Sequence, residues 1–122
     1  MRSVYCHKIS PAHDLLDVIV KDAPGHGGAS HVYHIEHAGS AGLPAMLAIE
    51  FQNGPIGEHG VNGVTQEILL AVVIDRLRSF QSGPFSSREN ALALTKCEEA
   101  LHWLQQRTID RVRRGVEGLS KA

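Results

Sequence analysis

The sequence predicts an α+β fold, in which a small N-terminal antiparallel β-sheet precedes a C-terminal antiparallel two-helix hairpin. Residues 1–60 hold short β-branched and aromatic runs between turn residues, whereas residues 61–122 hold two long helical patterns joined by a Ser-Gly-Pro turn. The helices also carry more apolar surface than one hairpin can bury, which predicts that the protein oligomerises through them. At 122 residues, we expect a single domain.

Three runs favour β-strands in the first part: LLDVIVK at 15–21, SHVYHIEH at 30–37 and AMLAIEFQ at 45–52. Each is rich in β-branched, aromatic or other apolar residues and ends at glycine, proline, asparagine or serine. Glycine then recurs every three residues between Gly54 and Gly63. This spacing predicts an irregular loop ahead of the helices.

The first helix is expected to run from about Gly63 or Thr65 to Gln81, with Asn62 or Thr65 as its N-cap. It ends at the sequence Ser-Gly-Pro, which does not continue a helix.

For the second helix, Ser86 and Glu89 have the spacing of a capping box. We expect this helix to run from there to Arg114 and to stop at Gly115.

Apolar residues follow a packed-helix pattern in both helices. In the second, steps of three and four residues separate Leu94, Cys97, Leu101, Leu104 and Thr108. In the first, residues 68–74 (ILLAVVI) are all apolar. The apolar surface left over must meet either the sheet or another subunit, and we expect a homo-oligomer, either a dimer or a hexamer. A monomer covered by its own sheet stays open as the alternative.

The bulk composition excludes several classes of function. Twelve Lys and Arg against 13 Asp and Glu give a net charge of −1, so we expect no binding of a nucleic-acid polymer. No apolar run approaches the roughly 20 residues that cross a bilayer, and the N-terminus is too polar for a signal peptide. Cys6 and Cys97 form no disulfide framework. We therefore expect a cytoplasmic protein with no membrane partner.

Basic residues concentrate at the end of the second helix: Arg107, Arg111, Arg113 and Arg114. Arg107 and Arg111 lie four residues apart and share a helix face, a spacing that suits the two phosphates of a pyrophosphate. A solvated face at a helix C-terminus is the alternative. Arg111 and Asn90 also fall on the apolar seam, where a polar group is costly unless something pairs with it, and contacts with another subunit or with a ligand are two ways to pair it.

Aromatic residues flank the turn between the helices. Phe80 and Phe85 are placed to stack a purine, or else to close the hairpin by packing, and the sequence leaves both open. Trp103, in the second helix, is expected to pack with its indole N–H near a solvent-exposed edge of the contact.

No motif argues for catalysis, and we expect no enzyme, no cofactor and no metal. Glu99-x-x-His102 has the spacing of a di-iron helix, but such a site needs two copies and further carboxylates. His31, His34 and His37 alternate faces in a strand and do not converge on one ion. The glycine loop is neither a Walker A nor a dinucleotide fingerprint.

The segment QSGPFSSRENALALTKCEEALHWLQQRTIDRVRRGVEG (81–118) resembles the hairpin domain shared by phage anti-CBASS sponges and the first Thoeris anti-defence family. The β-rich first half and the NGVTQE entry to the first helix are more similar to the Thoeris branch. The resemblance implies a protein that sequesters cyclic ADP-ribose isomers between its subunits without degrading them, in the bacterial host's cytoplasm during infection. It also implies, for some members, binding of cyclic di- or trinucleotides at separate sites.

Residue by residue, the resemblance implies four principal ligand contacts. Phe80 stacks the adenine, and Asn90 hydrogen-bonds the base or a ribose hydroxyl. Arg107 and Arg111 grip the pyrophosphate, and replacing either with alanine is expected to abolish high-affinity retention while leaving the fold and the oligomer intact. Further residues are expected at the ribose or in the surrounding shell: Phe85, Arg88, Glu89 and the loop around Asn53.

Three other functions stay open on the sequence. One is a structural or regulatory phage oligomer that uses its arginine end to meet another macromolecule. The second is a metal-dependent nucleotide hydrolase built on Glu98, Glu99 and His102. The third is a sponge whose main ligands are cyclic di- or trinucleotides.

Overall fold

In the computed structural model, which describes residues 1–40 and 42–120, the chain forms two compact units. The sheet unit comprises Met1–Gly54 and Val61–Gly63, and the hairpin unit comprises Pro55–Gly60 and Val64–Ala122. The predicted α+β class is therefore confirmed, with the sheet preceding the helical hairpin. The single domain and the oligomer stay predictions.

The sheet has four antiparallel strands in sequence order: β1 (Arg2–Val4), β2 (Leu16–Val20), β3 (Val32–His37) and β4 (Leu47–Glu50). Three of them match the predicted runs, each a few residues shorter. The strand β1 was not predicted, because three residues carry too little pattern to be recognised. It is defined instead by its pairing with β2, in which Arg2 lies opposite Val20.

One face of the sheet is apolar. Val20 is 1% exposed and lies opposite Tyr33 of β3, whose ring meets the Phe51 ring edge-on at 5.6 Å between centroids. His34 lies opposite Ile19, in the alternate register, so the side chains of His34 and Ile19 point to the other face.

The connection from β2 to β3 is held by Asp22. Its carboxylate accepts the backbone N–H of His31 at 2.8 and 3.1 Å and that of Val32 at 3.0 Å. The hydrogen bond from the His31 N–H lowers the pKa of Asp22. This carboxylate fixes the turn at which β3 begins.

The hairpin unit has three helices: α1 (Ile56–His59), α2 (Gln66–Gln81) and α3 (Arg88–Arg113). The expectation of a wholly irregular loop between Gly54 and Gly63 was wrong, since α1 forms one turn within it. The Thr65 side chain accepts the N–H of Ile68 at 3.3 Å, which makes Thr65 the N-cap of α2.

Asn62, the other candidate cap, has a different role. Its Oδ1 accepts the Asn53 N–H at 2.8 Å, and its Nδ2 donates to the Asn53 carbonyl at 2.7 Å. Asn62 therefore closes the neck of the loop that contains α1.

The N-cap of α3 is Ser87, whose Oγ accepts the Asn90 N–H at 3.0 Å. The prediction of Ser86 was wrong by one residue. At the other end, α3 stops at Arg113, and Gly115 has a φ of 72°, which confirms the predicted glycine stop.

The two long helices pack together, and Ile74 of α2 is buried. Large apolar side chains nevertheless remain exposed on both helices: Ile68, Val72, Val73, Leu92, Trp103, Ile109 and Val112. Trp103 is 68% exposed in the single chain, so the expectation that it packs stays a prediction that now depends on another subunit. Within residues 1–40 and 42–120, no helix is long and apolar enough to cross a membrane.

Candidate ligand-binding site

The C-terminal end of α3 carries an open depression of about 800 Å³, which we call the basic depression. Four arginines and one aspartate line it: Arg107, Asp110, Arg111, Arg113 and Arg114. The helix itself explains this grouping, because residues three and four apart share a face. The structure thus places the two arginines predicted to grip a pyrophosphate, Arg107 and Arg111, in one concave surface.

The two arginines differ sharply in their surroundings. Arg107 is exposed and makes no hydrogen bond or ion pair with another described residue. Arg111 is only 8% exposed. Its Nη2 donates to the carbonyls of Val116 and Leu119, each at 2.8 Å, and its Nε lies 3.2 Å from Oε2 of Glu117. The buried guanidinium is therefore compensated by carbonyls and a carboxylate.

These partners belong to residues Gly115–Ser120, which we call the C-terminal loop. The loop leaves α3 through a Schellman motif, in which the Val116 N–H donates to the Arg111 carbonyl at 3.0 Å. Arg111 therefore contacts the loop through both its backbone and its side chain.

Two contacts from α1 hold the far end of the C-terminal loop. The Gly57 N–H donates to the Gly118 carbonyl at 2.8 Å, and the Glu58 carboxylate accepts the Ser120 hydroxyl at 2.9 Å. A Cβ on Gly57 would lie 2.5 Å from the Gly118 oxygen, so this approach requires glycine. The loop is thus fixed between α3 and α1.

The turn between α2 and α3 forms the second candidate region. The Gln81 side chain clamps the Ser87 backbone, since its Oε1 accepts the Ser87 N–H at 3.0 Å and its Nε2 donates to the Ser87 carbonyl at 3.1 Å. Asn90 reaches the Phe85 carbonyl through Nδ2 at 3.5 Å. Phe85 is 73% exposed, and Arg88, the first residue of α3, is exposed as well.

Phe80 lies in the last turn of α2 and is half-buried. The Arg76 guanidinium sits over its ring, 4.9 Å from the centroid. This distance is within the range of a cation–π interaction. One face of the ring is therefore already occupied by a cation from the same helix.

The predicted ligand residues thus form two clusters at opposite ends of the hairpin. Phe80, Phe85, Arg88 and Asn90 lie near the turn, whereas Arg107 and Arg111 lie at the far end. Asn90 and Arg107 are 17 residues apart on α3, which is about 25 Å along the helix axis at 1.5 Å per residue. One chain does not bring the two clusters together.

The carboxylates of the alternative metal site are engaged elsewhere. Glu98 pairs with Arg78 at 2.7 Å, and Glu99 pairs with Lys96 at 3.6 Å. The His102 ring lies against that of Trp103, with centroids 5.2 Å apart. Among the described residues, no three His, Cys, Asp or Glu side chains are grouped to hold a metal ion.

Sequence reasoning assigned no role to Glu117, although this residue lies within the segment 81–118 that carries the family resemblance. Its spacing does not reveal a role, because its contact with Arg111 depends on how the chain turns after Gly115.

A family model described as "Acb2/Tad1, hairpin domain" matches residues 45–108, more than half of the chain. The chain belongs to the Acb2/Tad1 hairpin family. The matched region of this Acb2/Tad1 domain contains α1, α2 and most of α3, with all the turn-end candidates and Arg107. It ends before Arg111 and the C-terminal loop.

A curated relative from Bacillus phage SBSphiJ7, named "Thoeris anti-defense 1", is 56% identical over 73 residues. This alignment covers 60% of the present chain and 51% of the relative. The chain therefore spans about half the length of the curated relative that it matches. The family resemblance given by the hairpin sequence is confirmed.

Proposed function

We propose that this protein is a phage anti-defence sponge that binds and sequesters cyclic ADP-ribose isomers of Thoeris immunity without degrading them. The family of the hairpin and the name of the phage relative support the anti-defence role. The observation that carries the ligand class is the basic depression, where Arg107 and Arg111 line one concave surface. Planar guanidinium groups in such a surface suit a pyrophosphate.

The separation of the two clusters argues for binding between subunits. A small cyclic nucleotide does not span the roughly 25 Å between Asn90 and Arg107 of one chain. If two copies pack with their hairpins antiparallel, the turn end of one meets the basic depression of the other. Each site then combines Phe80 and Asn90 of one copy with Arg107 and Arg111 of its partner, and symmetry gives two sites.

The exposed apolar side chains support this homo-oligomer. Ile68 and Val72 lie one turn apart on α2 and are both about half exposed or more. A soluble protein rarely leaves such contiguous apolar surface uncovered. We propose that a second copy covers it, as a dimer or as part of a hexamer.

Sequestration rather than catalysis fits the chemistry of the basic depression. Among the described residues that line it, the one that carries a carboxylate is Asp110, which accepts from Gln106 Nε2 at 3.0 Å and lies 3.9 Å from Arg113. An acid or base committed to such contacts is poorly placed to transfer protons to a ligand. The four arginines among the described lining residues suit the binding of phosphate oxygens.

The test is retention of a ligand through washing. The purified protein is incubated with cyclic ADP-ribose isomers and with cyclic di- and trinucleotides, washed and heat-denatured, and the released molecules are identified by mass spectrometry. Release of an intact cyclic ADP-ribose isomer is the expected result. Release of only cyclic di- or trinucleotides would move the assignment to CBASS signals.

Two further outcomes contradict the proposal. A cleaved product that depends on added divalent cation would indicate a hydrolase, and retention of nothing would favour a structural or regulatory oligomer.

Arg107→Ala is expected to abolish retention, because each hydrogen bond to a charged phosphate contributes about 1.5–3 kcal/mol. Arg78→Ala is the matched control, since it removes the same charge from α2, outside the basic depression.

A further inference from the structure

We propose that the C-terminal loop positions Arg111 for phosphate binding, and that Glu117 is the positioning residue that sets the orientation of its guanidinium. The inference rests on the proposed function, because it concerns the same basic depression. It goes beyond that function by assigning a role to a segment that lies outside the matched hairpin domain.

The first support is that Arg111 contacts both the basic depression and the C-terminal loop. Its side chain lines the basic depression, while three hydrogen bonds tie the same guanidinium to the C-terminal loop. An arginine side chain is long and loses much rotamer freedom on binding. Contacts that fix it before the ligand arrives remove that cost from the binding step.

The second support is that the loop is braced further than a helix end requires. A Schellman motif is complete at Val116. The chain nevertheless continues through Glu117 and Gly118 to Ser120, and α1 holds it there through Gly57 and Glu58. These distant contacts place the carbonyl of Leu119 and the carboxylate of Glu117 against the Arg111 guanidinium.

The third support comes from charge. The Glu117 side chain is 43% exposed, so water screens its electrostatic attraction to the Arg111 guanidinium. A carboxylate beside a phosphate site repels the ligand, and it is useful there only if it orders the arginine. Truncation of Glu117 therefore separates the two effects. If Glu117 positions Arg111, its loss lowers the affinity for the ligand, and if Glu117 only repels the ligand, its loss raises that affinity.

The test measures the affinity of wild type, Glu117→Ala and Glu117→Gln by calorimetry at 25 °C. The probes are inorganic pyrophosphate and a cyclic ADP-ribose isomer. Positioning predicts about tenfold weaker binding in Glu117→Ala, the lower end of the loss seen when groups that orient a ligating residue are removed. Glu117→Gln keeps a side-chain acceptor and is expected to lose less affinity than Glu117→Ala. Unchanged or tighter binding by Glu117→Ala would overturn the inference.

Gly57→Ala perturbs the loop from a distance, because the added Cβ meets the Gly118 oxygen. Its affinity is expected to fall about as much as that of Glu117→Ala. The matched control is His59→Ala, an exposed position on the same short helix. Equal affinities for Gly57→Ala and wild type would contradict a positioning loop.

An Arg111→Ala background separates positioning from general stabilisation. Positioning predicts that Glu117→Ala causes no further loss of affinity there, since the residue it orients is gone. An equal loss in both backgrounds would reduce Glu117 to a structural role.

The proposed function fails separately from this inference. If wild type binds pyrophosphate but no cyclic ADP-ribose isomer, the proposed signal is wrong, and the variants still report on positioning. If wild type binds neither probe, both proposals are overturned.

Discussion

The two ends of the helical hairpin hold their candidate ligand residues in different ways. At the turn, Ser87 and Gln81 fix the backbone through contacts between residues no more than six apart, and Phe85 projects into solvent. At the far end, the Arg111 guanidinium is buried by a loop that is held by α1. The contact between Glu58 and Ser120 that braces this loop spans 62 residues.

This difference matches the two kinds of recognition proposed. Stacking of a base tolerates movement, because every base has a π-face and the aromatic ring need only be accessible. Gripping a pyrophosphate depends on directional hydrogen bonds, which reward a guanidinium that is already oriented. The turn end is therefore adaptable, and the basic depression is rigid on the side of Arg111.

The largest loss of stability is expected from removing the Arg111 guanidinium, which joins α3 to the C-terminal loop. Arg111→Ala is expected to lower the free energy of unfolding by about 2–3 kcal/mol, since it leaves the two carbonyls of Val116 and Leu119 without this donor. Arg107→Ala should change it by no more than about 0.5 kcal/mol, because Arg107 is exposed. Urea denaturation of both variants measures the comparison.

Equal stabilities for the two variants would mean that the loop contributes nothing to the fold. The sequence predicts that either arginine can be removed with the fold intact, because no sequence pattern reveals the contacts of Arg111 with the C-terminal loop. The structure makes Arg107→Ala the cleaner probe of binding.

A smaller effect is expected at the turn end. Ser87→Ala removes the N-cap of α3 and should cost about 1 kcal/mol of stability. Ser86→Ala, one residue earlier, is the matched control, because Ser86 is exposed and does not cap the helix. Thermal unfolding followed by circular dichroism compares the two. A greater loss of stability in Ser86→Ala than in Ser87→Ala would identify Ser86 as the N-cap, as the sequence predicted.

The one-residue error in the N-cap of α3 shows which information a local sequence pattern does not contain. Ser86 and Ser87 are adjacent, and Ser86 matches the capping-box spacing to Glu89. The Gln81 side chain decides between them, because it clamps the backbone of Ser87 and so fixes where the helix begins. The two long helices, their turn and the glycine stop were otherwise predictable from local signals.

The far end could not be predicted in the same way. The arginines were found from their spacing, which is a property of α3 alone. The partners of Arg111 follow from a chain reversal at Gly115 and a contact with α1, neither of which has a periodic signature. The strand β1 was missed for the same reason, because its three residues become a strand only by pairing with β2.

The smallest effect is expected where the turn end carries a cation against its aromatic ring. Arg76 covers one face of Phe80, and an exposed cation–π pair contributes about 0.5–1 kcal/mol. A double-mutant cycle of Arg76→Ala and Phe80→Leu should give a coupling energy of about 0.5 kcal/mol in urea denaturation. The cycle needs no outside control, since each single variant corrects for the packing that the other loses.

The coupling also bears on how a base would stack. If Arg76 and Phe80 are coupled, a base that takes the covered face must displace the guanidinium, and the free energy of that displacement is subtracted from its stacking. A coupling of zero would mean that packing alone holds the ring. An adenine would then stack on the face beneath Arg76 at no cost in free energy for displacing the guanidinium. That face of Phe80 would be as accessible to a base as the exposed ring of Phe85.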